Sequence, residues 1–414
     1  MTLTAHTQIG AQKPLYPDSE QSDNNYVKRN RRLYNGDFTE LRLERIDLDT
    51  PTLQFNWFRR VTDFYPEFML AERPNVEIEG NPGMTEAFLD MSRQFFNELT
   101  SANKEMIRSG QGILASHPMD PLSFTMFHRD EHFEVINNQG VITHDLLISI
   151  RGYGDKRTID IITYGIDGRD NAWRQYAYNS GTVGDLIDTF DMAPRIGRQV
   201  VTLDDNDERV SVYDDIKQPL AQMARTPTQV ARITKRNSNP HLFGPETMLI
   251  TDANGNVTLN PEGMFLPMQP DDPTPGYLFY DSRIEAASWL YQEAQQNMLN
   301  MAGLSIVLFD PDLNLGNLSG RAVERTLIPF TSKVSARARI NEEAITDVLN
   351  IWNANRSVNG EEVFQYDESD VIVEWKYGEV FQDEQPTEQP EESNEGTDPS
   401  SDSGSVSESG SSSS

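Results

Sequence analysis

The sequence predicts an α+β protein in which helices flank a contiguous β-rich stretch, and three observations carry that reading. Apolar residues recur every three to four positions from Met84 to Met106 and again from Val323 to Trp352, the period of a helix with one buried face. Between Ile113 and about Val212 the pattern becomes alternating, rich in β-branched and aromatic residues, with Asn-Gln-Gly, Gly-Tyr-Gly-Asp and Asp-Gly turns between segments. The composition, 37% apolar and 9% aromatic over 414 residues, is that of a folded chain with polar appendages and enough material for a sizeable core.

Taken in order, residues 1–30 are polar with few large apolar anchors and predict a flexible arm, with order beginning near Asn30 to Glu44. The run FNWFRRVTDFYPEFMLAERPNVEIEG has aromatics at helical spacing and turns extended after Pro74. Met84, Phe88, Met91, Phe95, Leu99, Ala102 and Met106 give one helix face, ended by SGQG. The strand-like segments are SFTMF, HFEVIN, VITHDLLISI, RTIDIITYGI, AWRQYAYN and RQVVTL. Asp214 to Arg236 has a helical pattern, but Pro219 and Pro227 predict that it is kinked or split. Residues 237–280 are loop-rich, with two short strands, TMLIT and NVTLN, joined by a hairpin turn at Ala253-Asn254-Gly255.

Ser282 and Glu285 form a capping box opening a helix whose face is Ile284, Ala287, Leu290, Tyr291, Ala294, Met298 and Met301, closed by Gly303. Residues 304–318, LSIVLFDPDLNLGNL, contain Pro311 and Gly316 and read as a loop with exposed leucines. A long helix follows, with Ser319 as its cap, spanning about 50 Å if it is continuous. At about 100° per residue, Val323, Leu327, Phe330, Val334, Ala338, Ile345, Val348 and Trp352 share an arc of about 80°. Arg321, Arg325 and Arg339 lie opposite, while Lys333 and Arg337 flank the arc's edge. Pro329 has no N–H for the carbonyl of Arg325, which predicts a bend there. DVIVEWKYGEVF leans towards β, and the Ser/Glu/Pro/Gly-rich residues 382–414 lack the apolar surface that would offset chain entropy.

The net charge is −30, and residues 382–414 supply nine acids with no Lys or Arg, leaving −21 for the rest. A sequence-specific nucleic-acid binder draws affinity from basic excess, so this chain is not expected to be one. A surface that DNA slides past without sticking is compatible with the charge. The absence of cysteine excludes disulfides, thiolate metal sites and a cysteine nucleophile, and fits a reducing compartment. No stretch approaches the roughly 20 apolar residues of a membrane span, and MTLTAHTQIGAQKP has no secretion-signal core, so no membrane partner or export is expected.

His128-Arg129-Asp130-Glu131-His132 matches the H-x-x-E-H order of inverted zinc peptidases, a motif that needs a helix to bring both histidines to one metal. Between two strand-like segments it reads as an ordinary solvated turn, with a metal-dependent hydrolase using His128, Glu131 and His132 as the lesser alternative. No phosphate loop, G-x-G-x-x-G or G-x-S-x-G occurs. The doublets Asp204/Asp205, Asp214/Asp215 and Asp271/Asp272 are read as surface charge before Mg²⁺ ligands. No catalytic residue, metal or cofactor is therefore assigned. Arg225, Arg232, Lys235 and Arg236 concentrate on one helix. They form either a solvated face or a contact with an acidic neighbouring subunit or passing phosphate.

The order of kinked helix, loop-rich β insert, capped helix, loop and long helix resembles the portal protein of tailed bacteriophages, the head-to-tail connector, in its siphophage-type form. The likeness spans roughly residues 50–380. It is carried by LSGRAVERTLIPFTSKVSARARINEEAITDVLNIW, with a Ser-Gly-x-Ala opening, by the Asn-x-x-Arg segment of FNWFRRVTDFYPEFMLAERPNVEI, and by VIVEWKYGEVFQDE. The resemblance implies a wing over 31–212, stem helices over 213–237 and 281–304, and a small α/β clip over 238–280. It also implies a tunnel loop over 305–318, a long kinked helix over 319–354, and a reduced crown with the C-terminal strand over 355–381. The loop residues Asp310, Asp312, Leu313, Asn314, Leu315 and Asn317 would then face DNA, and Arg321, Arg325, Lys333, Arg337 and Arg339 a neighbouring subunit.

As a family property, such a chain forms a non-enzymatic dodecameric ring at one capsid vertex, through which double-stranded DNA is packaged and ejected without sequence specificity. Its implied partners are the terminase large subunit, a head-tail adaptor, and the major capsid and scaffolding proteins. It would reside in the virion and, during assembly, in the host cytoplasm. Another virion component, such as a minor head or adaptor protein, is the competing expectation.

Overall fold

Two of the predicted amphipathic helices meet face to face, and the remaining elements assemble on them. The computed structural model describes residues 21–41, 55–153, 156–179, 182–195, 197–238, 241–243, 249–251, 257–259, 271, 276–278, 284–309 and 320–376. The first helix of the central pair, α3, runs from Pro82 to Ser109, after α1 (Gln21–Tyr34) and α2 (Trp57–Leu70). Asn81 caps it, its side chain accepting from the Met84 amide, with Pro82 in the first turn where no N–H is missed. Gly110 ends it at φ +85°, a left-handed conformation in which a Cβ would strike the Arg209 carbonyl.

The predicted face of α3 is interior: Met84, Phe88, Phe95, Leu99, Ala102 and Met106 are buried. Their counterparts come from the second half of a helix running from Gly320 to Arg356, namely Ala344, Ile345, Val348, Leu349 and Trp352. Phe88 and Trp352 pack edge to face with centroids 6.1 Å apart, a geometry worth about 0.5–1.5 kcal/mol beyond area burial. In the same seam Asn103 and Asn341 are buried and exchange reciprocal amide hydrogen bonds of 2.6 and 3.1 Å.

The strands form separate antiparallel layers around this pair. Strands β2 (Gln111–Ser116), β3 (Phe124–Phe127) and β9 (Val200–Asp204) make a sheet in the order β3–β2–β9. One face, with Leu114, Val201 and Leu203, joins the α3 core. The other, with Ile113, Ala115 and Phe127, packs on Leu147, Ile162 and Tyr164 of a five-stranded meander. That meander runs β4 (His132–Ile136), β5 (Ile142–Arg151), β6 (Thr158–Gly165), β7 (Ala172–Asn179) and β8 (Thr182–Asp191), each strand beside the next. Its far face gathers Leu146, Ile148, Ile159, Ile161 and Val183.

Beyond the meander come α4 (Val212–Ser238), β10 (His241–Phe243), β11 (Leu249–Thr251), β12 (Val257–Leu259), β13 (Gly276–Leu278), α5 (Ile284–Met301) and the long helix, α6. The expected hairpin pairing is present, with Leu249 opposite Leu259 and Thr251 opposite Val257, although its turn lies outside the described residues. β10 pairs with β13. The last strand, β14 (Val371–Glu374), pairs antiparallel with β1 (Asn75–Ile78), Asn75 opposite Glu374. Among the described residues no helix is long and apolar enough to cross a membrane.

Four expectations are corrected. The arm does not extend to residue 30, because α1 begins at Gln21. Polar anchors hold it: Tyr26 and Arg29 both bond Asp214 (2.7 and 2.6 Å), and Asn30 donates to the Arg108 carbonyl. Pro219 and Pro227 do not split α4, which is one helix from Val212 to Ser238. Thr226 and Thr228 donate to the Gln222 and Ala224 carbonyls beside the place where Pro227 supplies no N–H. β2 and β8 were not anticipated as strands. Leu304 is buried, not exposed. The expected C-terminal strand is present and pairs with β1. Pro329 lies inside α6 without ending it, and Gly303 terminates α5 at φ +73° as expected.

The Asn103–Asn341 pair yields a stability test. Asn341→Ala strands a buried amide and should cost about 1–3 kcal/mol in urea unfolding. Asn103→Ala combined with Asn341→Ala should cost less than the sum of the two single changes.

Candidate functional site

The predicted site residues that are described fall on two structures, the α4–α5 pair and the first half of α6. α5 lies alongside α4, and between them runs an apolar groove of 690 Å³ lined by Phe55, Pro227, Val230, Ile284, Ala287 and Tyr291, among others. Ala294 and Met298 of the predicted α5 face are buried, while Leu290 and Met301 are exposed. Ile284 at 59% and Trp289 at 61% are still more so. Four large apolar side chains on one helix are thus left in water. Arg225 and Lys235 are exposed and Arg232 is half-buried; the side chain of Arg236 lies outside the described residues.

Asp310, Asp312, Leu313, Asn314, Leu315 and Asn317 also lie outside the described residues. The stretch leading to them is seated on α2. Tyr65 donates to the Ala302 and Gly303 carbonyls at 3.0 and 2.8 Å, and Ser305 accepts from the Val307 amide. Phe309 packs against Trp57 and Phe64, with centroids 5.7 and 5.1 Å away, and the Arg60 guanidinium lies over both Phe64 and Phe309.

On α6, the apolar arc from Phe330 to Trp352 is interior, with Phe330, Val334, Ala338, Ile345, Val348 and Trp352 buried. Arg325 and Arg339 are exposed, and the Arg321 side chain lies outside the described residues. Arg337 corrects its expected role at a subunit interface, because it is fully buried within its own chain. Its guanidinium takes both oxygens of Asp205 at 3.0 and 3.2 Å and lies 4.0 Å from the centre of the Tyr65 ring. Lys333, half-exposed, reaches the same carboxylate at 3.2 Å. Asp205 is therefore not surface charge. Burial works to raise its pKa, but Arg337 and Lys333 outweigh that and hold the carboxyl below its usual range.

The HRDEH segment is a short 3₁₀ turn, Arg129–Glu131, leading into β4. Its two histidines engage separate carboxylates: His128 Nδ1 lies 3.0 Å from Glu105 and His132 Nε2 lies 2.8 Å from Asp145. Glu131 accepts from the His128 amide. Glu105 is fully buried and also holds Ser109 at 2.7 Å and Arg108. Burial would raise its pKa, yet the His128 hydrogen bond and the Arg108, His128 and Arg31 charges together hold it down to about 2.

His132, Glu134 and Asp145 bring ligand atoms within 4.8 Å of one another and could hold a cation. That place is taken by the Arg198 guanidinium, which donates to Glu134 at 2.5 Å and to both Asp145 oxygens at 3.1 Å. No local pattern pointed to Arg198, since its partners lie 53 and 64 positions away.

No protein-family model and no curated protein matches the chain. Among solved structures, one similar chain belongs to the "Neck of native GTA particle computed with C12 symmetry". It is 11% identical, with a TM-score of 0.44, over 90% of this chain and 89% of that one.

Two outcomes follow from the buried charges. Arg337→Ala leaves Asp205 buried without its bidentate partner and should cost about 3–5 kcal/mol in chemical denaturation. Glu105 has a folded pKa of about 2 against 4.5 ordinarily, so its contribution is full above pH 4.5 and is lost as pH falls towards 2. Stability measured across that window should fall less steeply in Glu105→Gln than in the wild type.

Proposed function

We propose that this chain is a phage-type portal protein, a structural subunit that forms a ring at one capsid vertex and conducts double-stranded DNA. The observation that carries the reading is the element order after the sheets. A long helix, a small β insert, a second long helix beside the first, and a short seated connection precede a 37-residue helix. Only the second half of that helix is locked into the α3 core, and this is the order in which the sequence resembles portal proteins. Supporting it, α5 keeps Ile284, Trp289, Leu290 and Met301 in solvent, as a subunit awaiting its neighbours would.

In this reading residues 21–212 form the wing, α1 included, α4 and α5 the stem, and the β10–β13 region the clip. Residues 305–318 approach the channel, and α6 returns to the wing. The net charge of −30 suits a conduit that must not grip phosphates. Terminase and head-tail adaptors would dock at the clip, and capsid and scaffolding proteins at the wing. The role is mechanical, and no catalytic residue is assigned.

Negative-stain images and native mass spectra of the purified full chain test the proposal. Closed rings with a central opening are expected. Monomers at every concentration reached, or a compact dimer without an opening, would replace it with another virion component such as an adaptor or minor head protein.

A further inference from the structure

The two helices of the α4–α5 pair carry opposite charge. After Asp215, α4 holds five cations (Lys217, Arg225, Arg232, Lys235 and Arg236) and no acid, whereas α5 holds Glu285 and Glu293 and no Lys or Arg. The placement of these charges is also opposed. On α4 the buried Ile216, Leu220 and Met223 lie about 160–220° around the helix from Arg225. Arg225, Gln229 and Arg232 therefore form the flank turned away from the pair's interior. On α5, Glu285, Trp289 and Glu293 recur at intervals of four and fall within about 80° of one another. Ala287, Tyr291, Ala294 and Met298, which are buried or line the groove towards α4, sit about 140–200° from Trp289. The helix pair thus has a cationic outer flank on one side and an acid–aromatic–acid outer flank on the other.

Among the described residues part of this chemistry is unspent. Arg225, Glu285 and Glu293 are exposed and make no ion pair among the described residues, and Trp289 is 61% exposed. Arg232 is half-buried and already has a partner, so Arg225 carries the larger share.

We infer that these flanks dock on each other between copies, the Arg225 side of one α4 meeting the Glu285–Trp289–Glu293 stripe of the next copy's α5. The inference rests on the ring reading above and specifies the contact that would build the ring. The two surfaces are different patches of one molecule, so the contact is head-to-tail and propagates from copy to copy until it closes. Desolvated between the flanks, Trp289 offers its ring face to Arg225, and an aromatic anchor rimmed by paired charges is the common form of an interface hot spot. The complementarity also sets order, because α4 against α4 or α5 against α5 would oppose like charges.

The experiment uses the full chain, with assembly followed by analytical ultracentrifugation and native mass spectrometry at low and high salt. Arg225→Glu, Trp289→Ala and the pair Glu285→Arg with Glu293→Arg should each raise the concentration needed for assembly at least about tenfold. Circular dichroism should show unchanged helix content, since every site is exposed. Combining Arg225→Glu with Glu285→Arg and Glu293→Arg should restore assembly, and wild-type assembly should weaken as salt rises.

If the wild type forms rings and all these variants do so equally well, the flank contact is wrong while the ring reading stands. If each reversal disrupts assembly but the combined swap does not restore it, the pairing is wrong. If the wild type never assembles, the ring reading fails and takes this contact with it.

Discussion

The seam between α3 and the second half of α6 is the constraint on which the rest of the molecule depends. Each helix contributes one apolar stripe, and neither could hold its position without the other. The three-stranded sheet lays one face on this seam, so its other face is free to receive the five-stranded meander. The buried Asn103–Asn341 exchange fixes register within the seam, since sliding either helix by a turn would leave the two amide oxygens in an apolar interior without their partners. Towards its N-terminus α6 leaves the seam by way of Arg337 and Phe330, which attach it to Asp205 and to the aromatic side chains of α2.

Cations are scarce in this chain, 35 against 65 acids, and the fold uses several of them internally. Arg31, Arg195, Arg198 and Arg337 each bridge elements distant in sequence, bonding Asp130, the Pro118 carbonyl, Asp145 and Asp205 respectively. Guanidinium suits this work because its fixed fork satisfies two acceptors at once and it cannot be neutralised by burial.

How much of this was legible in the sequence varied with the kind of force involved. α3 and α6 were readable because a one-sided apolar stripe is periodic, and Met84 to Met106 and Phe330 to Trp352 are buried as that period requires. β2 was missed because both its faces are covered and it shows no alternation. β8 was missed because an edge strand can carry three aspartates and a glycine, as Thr182–Asp191 does. α1 was read as a loose arm because its anchors are Tyr26, Arg29 and Asn30, residues whose attachment depends on partners that no local pattern reveals. Arg337 was placed at the wrong surface for a related reason. A helical wheel gives the angle of a side chain but not the element packed against it, and Asp205 lies 132 positions away. The His128–His132 string is a turn as read but not a solvated one, since Asp130 is buried, and its role in holding the buried Glu105 was invisible without the fold.

The β1–β14 pairing joins positions up to 299 residues apart. During synthesis, at roughly 5–20 residues per second, β1 leaves the ribosome on the order of 15–60 s before its partner exists. Until then the first strand has no neighbour in its ladder and α3 lacks the half of its covering that α6 supplies. The core of the polypeptide therefore closes only after α6 and β14 have been made, so that the seam and the β1 ladder form late and together.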